Sequence, residues 1–206
     1  MTAELEVSRR ERKKEETKER IVEAALALFR KHGFEATTVE EISDKADVAK
    51  GTFFNYFPRK EAVFGYLSEQ WVSEAEQKLG EILAKGRPAW PKVRDLFIEF
   101  ASFYEADRAL SKHMALEWAR CMHDPDDTTS RRWDAVGEHV VRQLQAKREL
   151  RSDIAPERVH HVLADVYHGT IMMWLDLPEP PFSLQDELRR RLTLVIDGLA
   201  AGKGGK

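Results

Sequence analysis

Between Lys50 and Lys60 the chain gathers side chains able to meet a nucleic acid. A lysine ammonium such as Lys50 can donate to guanine O6 and N7, and the Thr52 methyl can pack on a thymine methyl. Tyr56 offers a hydroxyl to a phosphate. A second group is His161, Asp165 and His168, at i, i+4 and i+7 beside Met172. Those residue types can ligate a divalent metal. They also serve as paired polar groups in a subunit interface, which is the favoured reading, and no metal or cofactor is assigned. Catalytic patterns are missing: the chain has no nucleophile elbow, phosphate loop, HExxH or CxxC. No enzyme activity is expected.

The elements that must position these residues read as helices almost throughout. Residues 1–15 are charged and lack an apolar stripe, which predicts a flexible arm. From Thr17, residues Ile21, Ala24, Ala25, Leu28 and Phe29 fall on one helical face, and Gly33 follows as a stop. Thr38-Val39-Glu40-Glu41 is a capping box that opens a short helix ending near Ala46. Asp47-Val48 makes a tight turn, and Lys50 to Tyr56 forms a second short helix. Pro58 suits the first turn of a longer helix reaching about Ala84.

Two short helices joined by a tight turn need a third beneath them to bury a core. That tri-helical unit presents a helix to the major groove in a helix-turn-helix. The same geometry serves as a plain corner of a helical bundle, and spacing alone leaves both readings open.

The residue identities favour the first. Val48-Ala49-Lys50-Gly51-Thr52-Phe53-Phe54-Asn55-Tyr56-Phe57-Pro58-Arg59-Lys60-Glu61 closely resembles the recognition-helix signature of the tetracycline-repressor (TetR) family. Upstream, Phe29-x3-Gly33-Phe34-x2-Thr37-Thr38-Val39-x2-Ile42-x3-Ala46 is similar to that family's first two helices. The resemblance implies DNA contacts from Thr38, Lys50, Gly51, Thr52, Phe54, Asn55, Tyr56 and Lys60. Gly51 would let backbone approach closely, and Phe53 and Phe57 belong to the small core. Two positions depart from the family pattern. Asp47 stands where the turn usually has glycine, and Ala49 stands where Ser or Thr often caps the helix. The basic residues of the arm, Arg9, Arg10, Arg12, Lys13 and Lys14, are interleaved with Glu11, Glu15 and Glu16, which predicts a solvated segment.

Lys85 to Pro91 is the clearest break, and five more helices are predicted after it. The expected architecture is all-α, with about nine helices. Its divisions are an arm at 1–15, a helix-turn-helix domain at 16–64, a ligand-binding and dimerisation domain at 65–200, and a flexible tail at 201–206. The resemblance implies a ligand pocket among the helices starting near 91, 111, 128 and 156. Candidate lining residues are Phe100, Phe103, Tyr104, Met114, Trp118, Cys121, Trp133, Tyr167 and Trp174. Glu117 lies at the edge of that lining, where it would pair with a cationic ligand or with a neighbouring side chain. The last two helices, about 156–176 and 183–200, carry apolar stripes suited to a four-helix dimer interface.

Composition sets the outer bounds. The 206 residues are 42% hydrophobic and carry a net charge of -3, which excludes a basic nucleic-acid coat but allows a local DNA-contacting surface. One cysteine, Cys121, excludes an internal disulfide. No apolar run approaches the roughly 20 residues of a membrane span. With the cytoplasmic location that composition suggests, the function that the resemblance implies is a homodimeric regulator that binds palindromic operator DNA and is released by a small apolar or amphipathic effector. The alternative is a family member that activates transcription or organises DNA without an inducer.

Overall fold

The computed structural model describes residues 9–121 and 127–200, and these form nine helices. The chain divides into two units, Met1–Tyr66 and Leu67–Lys206.

In the first unit, α1 (Arg9–His32) is longer than the sequence predicts. The charged stretch expected to be a flexible arm is helical from Arg9. Arg12 and Glu16 pair at 3.6 Å one turn apart, and the Thr17 hydroxyl donates to the Lys13 carbonyl at 2.8 Å. Alternating acidic and basic residues support a helix without an apolar stripe. The Tyr66 hydroxyl also donates to Glu15 at 2.5 Å, and the Lys18 ammonium sits 4.1 Å from the same ring. Gly33 ends α1 with φ 85°, a left-handed conformation that glycine adopts without strain.

Helix α2 (Val39–Lys45) starts at the predicted capping box. Thr38 N–H donates to Glu41 Oε2 at 2.8 Å, and Glu41 N–H donates to Thr38 Oγ1 at 3.2 Å. Asp47 makes the turn at φ 53°, a conformation that Asp tolerates better than most residues. Helix α3 (Lys50–Tyr56) follows, and Ala49 gives it no side-chain cap. Pro58 does not open the next helix, because residues 58–61 form turns and α4 begins at Ala62 (Ala62–Ala84). Phe29, Phe34 and Phe64 close the core, with ring centroids 4.9 to 5.6 Å apart.

The second unit holds the rest of α4 with α5 (Trp90–Ala106), α6 (Arg108–Cys121), α7 (Thr128–Ala146), α8 (Pro156–Asp176) and α9 (Leu184–Leu199). Two apolar clusters build it. One joins Leu79, Val93, Leu96, Val141, Leu144 and Val159. The other joins Ile98, Ala115, Ile171, Trp174, Leu184 and Leu188. Carboxylates from other helices and connections add to the helix starts: α5 has no side-chain cap of its own, and α9 also has Ser183, whose hydroxyl accepts from the Asp186 amide. Glu149 accepts from the Ala89 and Trp90 amides at 2.9 Å to start α5. Glu105 accepts from the Leu184 amide at 2.6 Å to start α9. Helix α7 stops at Ala146, short of the expected Leu150, because Arg148 turns left-handed at φ 57°. No helix among the described residues is long and apolar enough to cross a membrane.

Candidate nucleic-acid interface and effector chamber

Helix α3 has a sharp division of faces. Phe53 and Phe57 are buried, with ring centroids 5.8 Å apart, and Phe57 packs on Tyr66. Lys50, Gly51, Phe54 and Asn55 are exposed, and Thr52 and Tyr56 are partly so. Phe54 is 46% exposed. Six of the eight residues expected to meet DNA thus lie on α3, which Phe53 and Phe57 anchor to the unit's core.

Lys50 forms an ion pair with Glu40 of α2, and this bond holds the Glu40 carboxyl below its ordinary range. Thr38 is exposed and is the N-cap of α2. Lys60 has a different setting from the one expected. Its ammonium donates to the carbonyls of Phe34, Glu35 and Thr37 at 2.7, 3.3 and 3.1 Å. It also sits 4.3 Å from the Phe34 ring. Lys60 therefore clamps the α1–α2 connection, a role that nothing in its local sequence signals.

In the second unit, aromatic rings run between the two apolar clusters. Trp133 lies 6.5 Å from Phe97, Phe97 lies 5.6 Å from Tyr167, and Tyr167 meets His168 at 5.2 Å. His168 then stacks on Trp118 at 3.8 Å. Trp71 meets Phe103 and Tyr104 at 4.9 and 6.1 Å, and Phe100 packs against the first cluster. Burial pushes the Tyr104 phenol up to about 12 and Tyr167 well above its ordinary value. It holds His168 down at about 4, so that ring is neutral at physiological pH. These three rings nonetheless keep part of their surface accessible.

Other expected lining residues sit elsewhere. Trp174 is buried in the second cluster, its indole N–H donating to the Phe182 carbonyl at 3.1 Å, so it belongs to the closed core. Met114 is also buried. Glu117 is held by Arg120 through two 3.0 Å bonds rather than poised for a cation. The Cys121 side chain lies outside the described residues. His161 and Asp165 are exposed while His168 is engaged with Trp118, so the three do not converge. Among the described residues no group of three metal-ligating side chains forms. Phe97, Trp71 and His168 join the aromatic run without having been expected in it. Each meets its partner from another helix, a relation that spacing along one helix does not reveal.

Comparison with known proteins matches these two parts to two family descriptions. Residues 21–67 match "Bacterial regulatory proteins, tetR family". Residues 69–198 match "TetR/AcrR family transcriptional repressors, C-terminal domain". The chain is 33% identical to FadR of Thermus thermophilus, a repressor crystallised with lauroyl-CoA, with a TM-score of 0.70. That likeness covers 92% of this chain and 98% of the other. It is 43% identical over 162 residues to the repressor KstR of Mycolicibacterium smegmatis, covering 78% of this chain and 77% of KstR. Its likeness to YerO of Bacillus subtilis, 37% over 67 residues, covers 32% of this chain and 23% of that regulator. The chain belongs to the TetR family of bacterial transcription regulators.

Proposed function

We propose that this regulator is a cytoplasmic homodimeric repressor that binds palindromic operator DNA and leaves it when an acyl-CoA enters the second unit. The division of α3 is the observation that carries the DNA reading. Buried Phe53 and Phe57 fix the helix, and Lys50, Thr52, Phe54, Asn55 and Tyr56 remain available to a groove. Lys50 and Asn55 are donors suited to base edges, Thr52 and Phe54 offer apolar contact to a thymine methyl, and Tyr56 and Thr38 suit phosphates.

Dimerisation follows from the need to place two recognition helices about 34–36 Å apart on successive turns of DNA. Exposed apolar residues on the last two helices support it: Val162 on α8 is 48% exposed and Leu194 on α9 is 75% exposed. The effector reading rests on the aromatic run, whose rings are deep in the protein yet keep accessible surface, as in the lining of a ligand chamber. The likeness to a lauroyl-CoA-bound repressor points the same way. An effector releases DNA only through unequal affinity for the DNA-bound and DNA-free arrangements of the dimer.

Titrating lauroyl-CoA into a preformed complex with the gene's own upstream DNA tests the reading. Fluorescence anisotropy should fall to the free-DNA value with saturable dependence on lauroyl-CoA. An unchanged complex at saturating ligand would exclude acyl-CoA as the effector.

A further inference from the structure

The charges at the start of α1 are interleaved along the chain but separate once the segment is wound into a helix. Arg9 falls in line with Lys13 and Arg10 with Lys14, each one turn apart, and the two rows are neighbours. Glu11, Glu15 and Glu19 form a row on the opposite side. Arg12, at the border, pairs with Glu16 at 3.6 Å. Arg9, Arg10, Lys13 and Lys14 are exposed, and no side chain among the described residues pairs with them. Like charges one turn apart weaken a helix, so this sorting does nothing for α1 itself.

Contacts place the basic face beside α3. Glu15 accepts from the Tyr66 hydroxyl at 2.5 Å, and the Lys18 ammonium sits 4.1 Å from the same ring. The Tyr66 ring in turn meets Phe57, the C-cap of α3, at 6.3 Å between centroids. Tyr66 thus ties α1 to the end of α3 that carries Tyr56, a candidate phosphate contact. The basic residues also lie on the side of α1 that buries Ile21, Ala24 and Ala25 about three turns further on. They overhang the core of the first unit on its own side.

We propose that Arg9, Arg10, Lys13 and Lys14 form a second DNA-binding surface, which grips the sugar-phosphate backbone beside the bases met by α3. The proposal rests on the reading of α3 as the recognition helix and extends its footprint. DNA carries one negative charge per about 1.7 Å of its axis. Four cations spread over about 8 Å of helix face complement a short run of phosphates. The chain as a whole carries a net charge of -3, so its affinity for a polyanion has to come from cations sorted onto one surface. Phosphate contacts hold register and carry no sequence information.

The test combines Arg9→Gln, Arg10→Gln, Lys13→Gln and Lys14→Gln in the full-length protein, since glutamine keeps a similar helix propensity. The probes are the gene's own upstream duplex and a scrambled one. Hydroxyl-radical footprinting of the parent protein should show protected backbone beyond the base pairs whose exchange alters affinity. The variant should lose that protection and keep the rest. Its affinity should fall by about tenfold on both duplexes, with the preference for the natural DNA retained. One or two phosphates released per protomer of a dimer make the salt slope shallower by about 2–4. Lys13→Gln with Lys14→Gln alone should give about half that change. A variant footprint identical to the parent's overturns the second surface and leaves the reading of α3 intact. Equal binding of the two duplexes by the parent protein overturns the recognition-helix reading and the second surface with it.

Discussion

His160 occupies the space that a side chain at Gly137 would need. A β-carbon built on Gly137 falls 2.0 Å from His160 Nδ1, and the far side of the ring bonds to Asp134 at 3.0 Å. Helix α7 therefore receives α8 through a glycine notch, and His160 is held between the notch and a carboxylate.

This contact predicts a reversal of the usual helix rule. Gly137→Ala should gain about 1 kcal/mol of helix propensity. It should lose more by displacing His160, for a net cost of about 1–2 kcal/mol. Thermal unfolding should drop by about 2–8 °C. Adding His160→Ala should recover most of the loss, because the clash is then gone. A Gly137→Ala protein at least as stable as the parent would show that the notch is not needed.

Lys60 separates a structural role from a phosphate contact. Its ammonium serves three carbonyls, and hydrogen bonds to charged groups contribute about 1.5–3 kcal/mol. Lys60→Met should destabilise the first unit by about 2 kcal/mol in denaturant titrations without DNA. A lysine used only on phosphate would leave stability unchanged and reduce the salt slope of DNA binding by about 1.

Glu40 should restrain the lysine proposed to read DNA. Lys50 has to leave Glu40 before it can meet a base. Both side chains are more than half exposed, so Glu40→Gln should leave stability unchanged. It should raise affinity for specific and unrelated duplexes alike, by about two- to fivefold, with a steeper salt dependence. Unchanged affinity on both duplexes would mean that the pair does not compete with DNA.

His168 predicts a pH dependence of known sign. Its folded pKa, about 4, lies below the ordinary value of 6.5. Between those values the unfolded chain binds a proton that the folded chain refuses. Stability is therefore fully present above pH 6.5 and falls on acidification by up to about 1.4 kcal/mol per pH unit until pH 4. Unfolding measured across this range should be less acid-sensitive in His168→Phe than in the parent protein. Equal slopes would show that the ring is solvated.

Much of the first unit was legible in the sequence because its signals are local. The Thr38–Glu41 box, the turn at Asp47 and the uncapped Ala49 each depend on residues within a few positions of one another. The face division of α3 agrees with the i, i+4 spacing of Phe53 and Phe57 and was expected from the family resemblance. What escaped depends on distant partners. The start of α1 at Arg9 has no apolar stripe to announce it, and one of its contacts, Glu15 with Tyr66, spans 51 residues. Lys60 reads as a surface cation until the carbonyls of Phe34, Glu35 and Thr37 are placed around it. His168 shares a helix spacing with His161 and Asp165 that suggests metal, and only packing of α6 on α8 turns its ring onto Trp118.

The most direct test of sequence-specific binding through α3 is fluorescence anisotropy on the gene's own upstream DNA and on a scrambled duplex, for the parent protein and Lys50→Ala. The parent should prefer the natural DNA by about a hundredfold or more. Lys50→Ala should lose most of that preference while remaining a dimer. Equal, salt-sensitive binding of both duplexes by the parent protein, or undiminished preference in Lys50→Ala, would contradict the account.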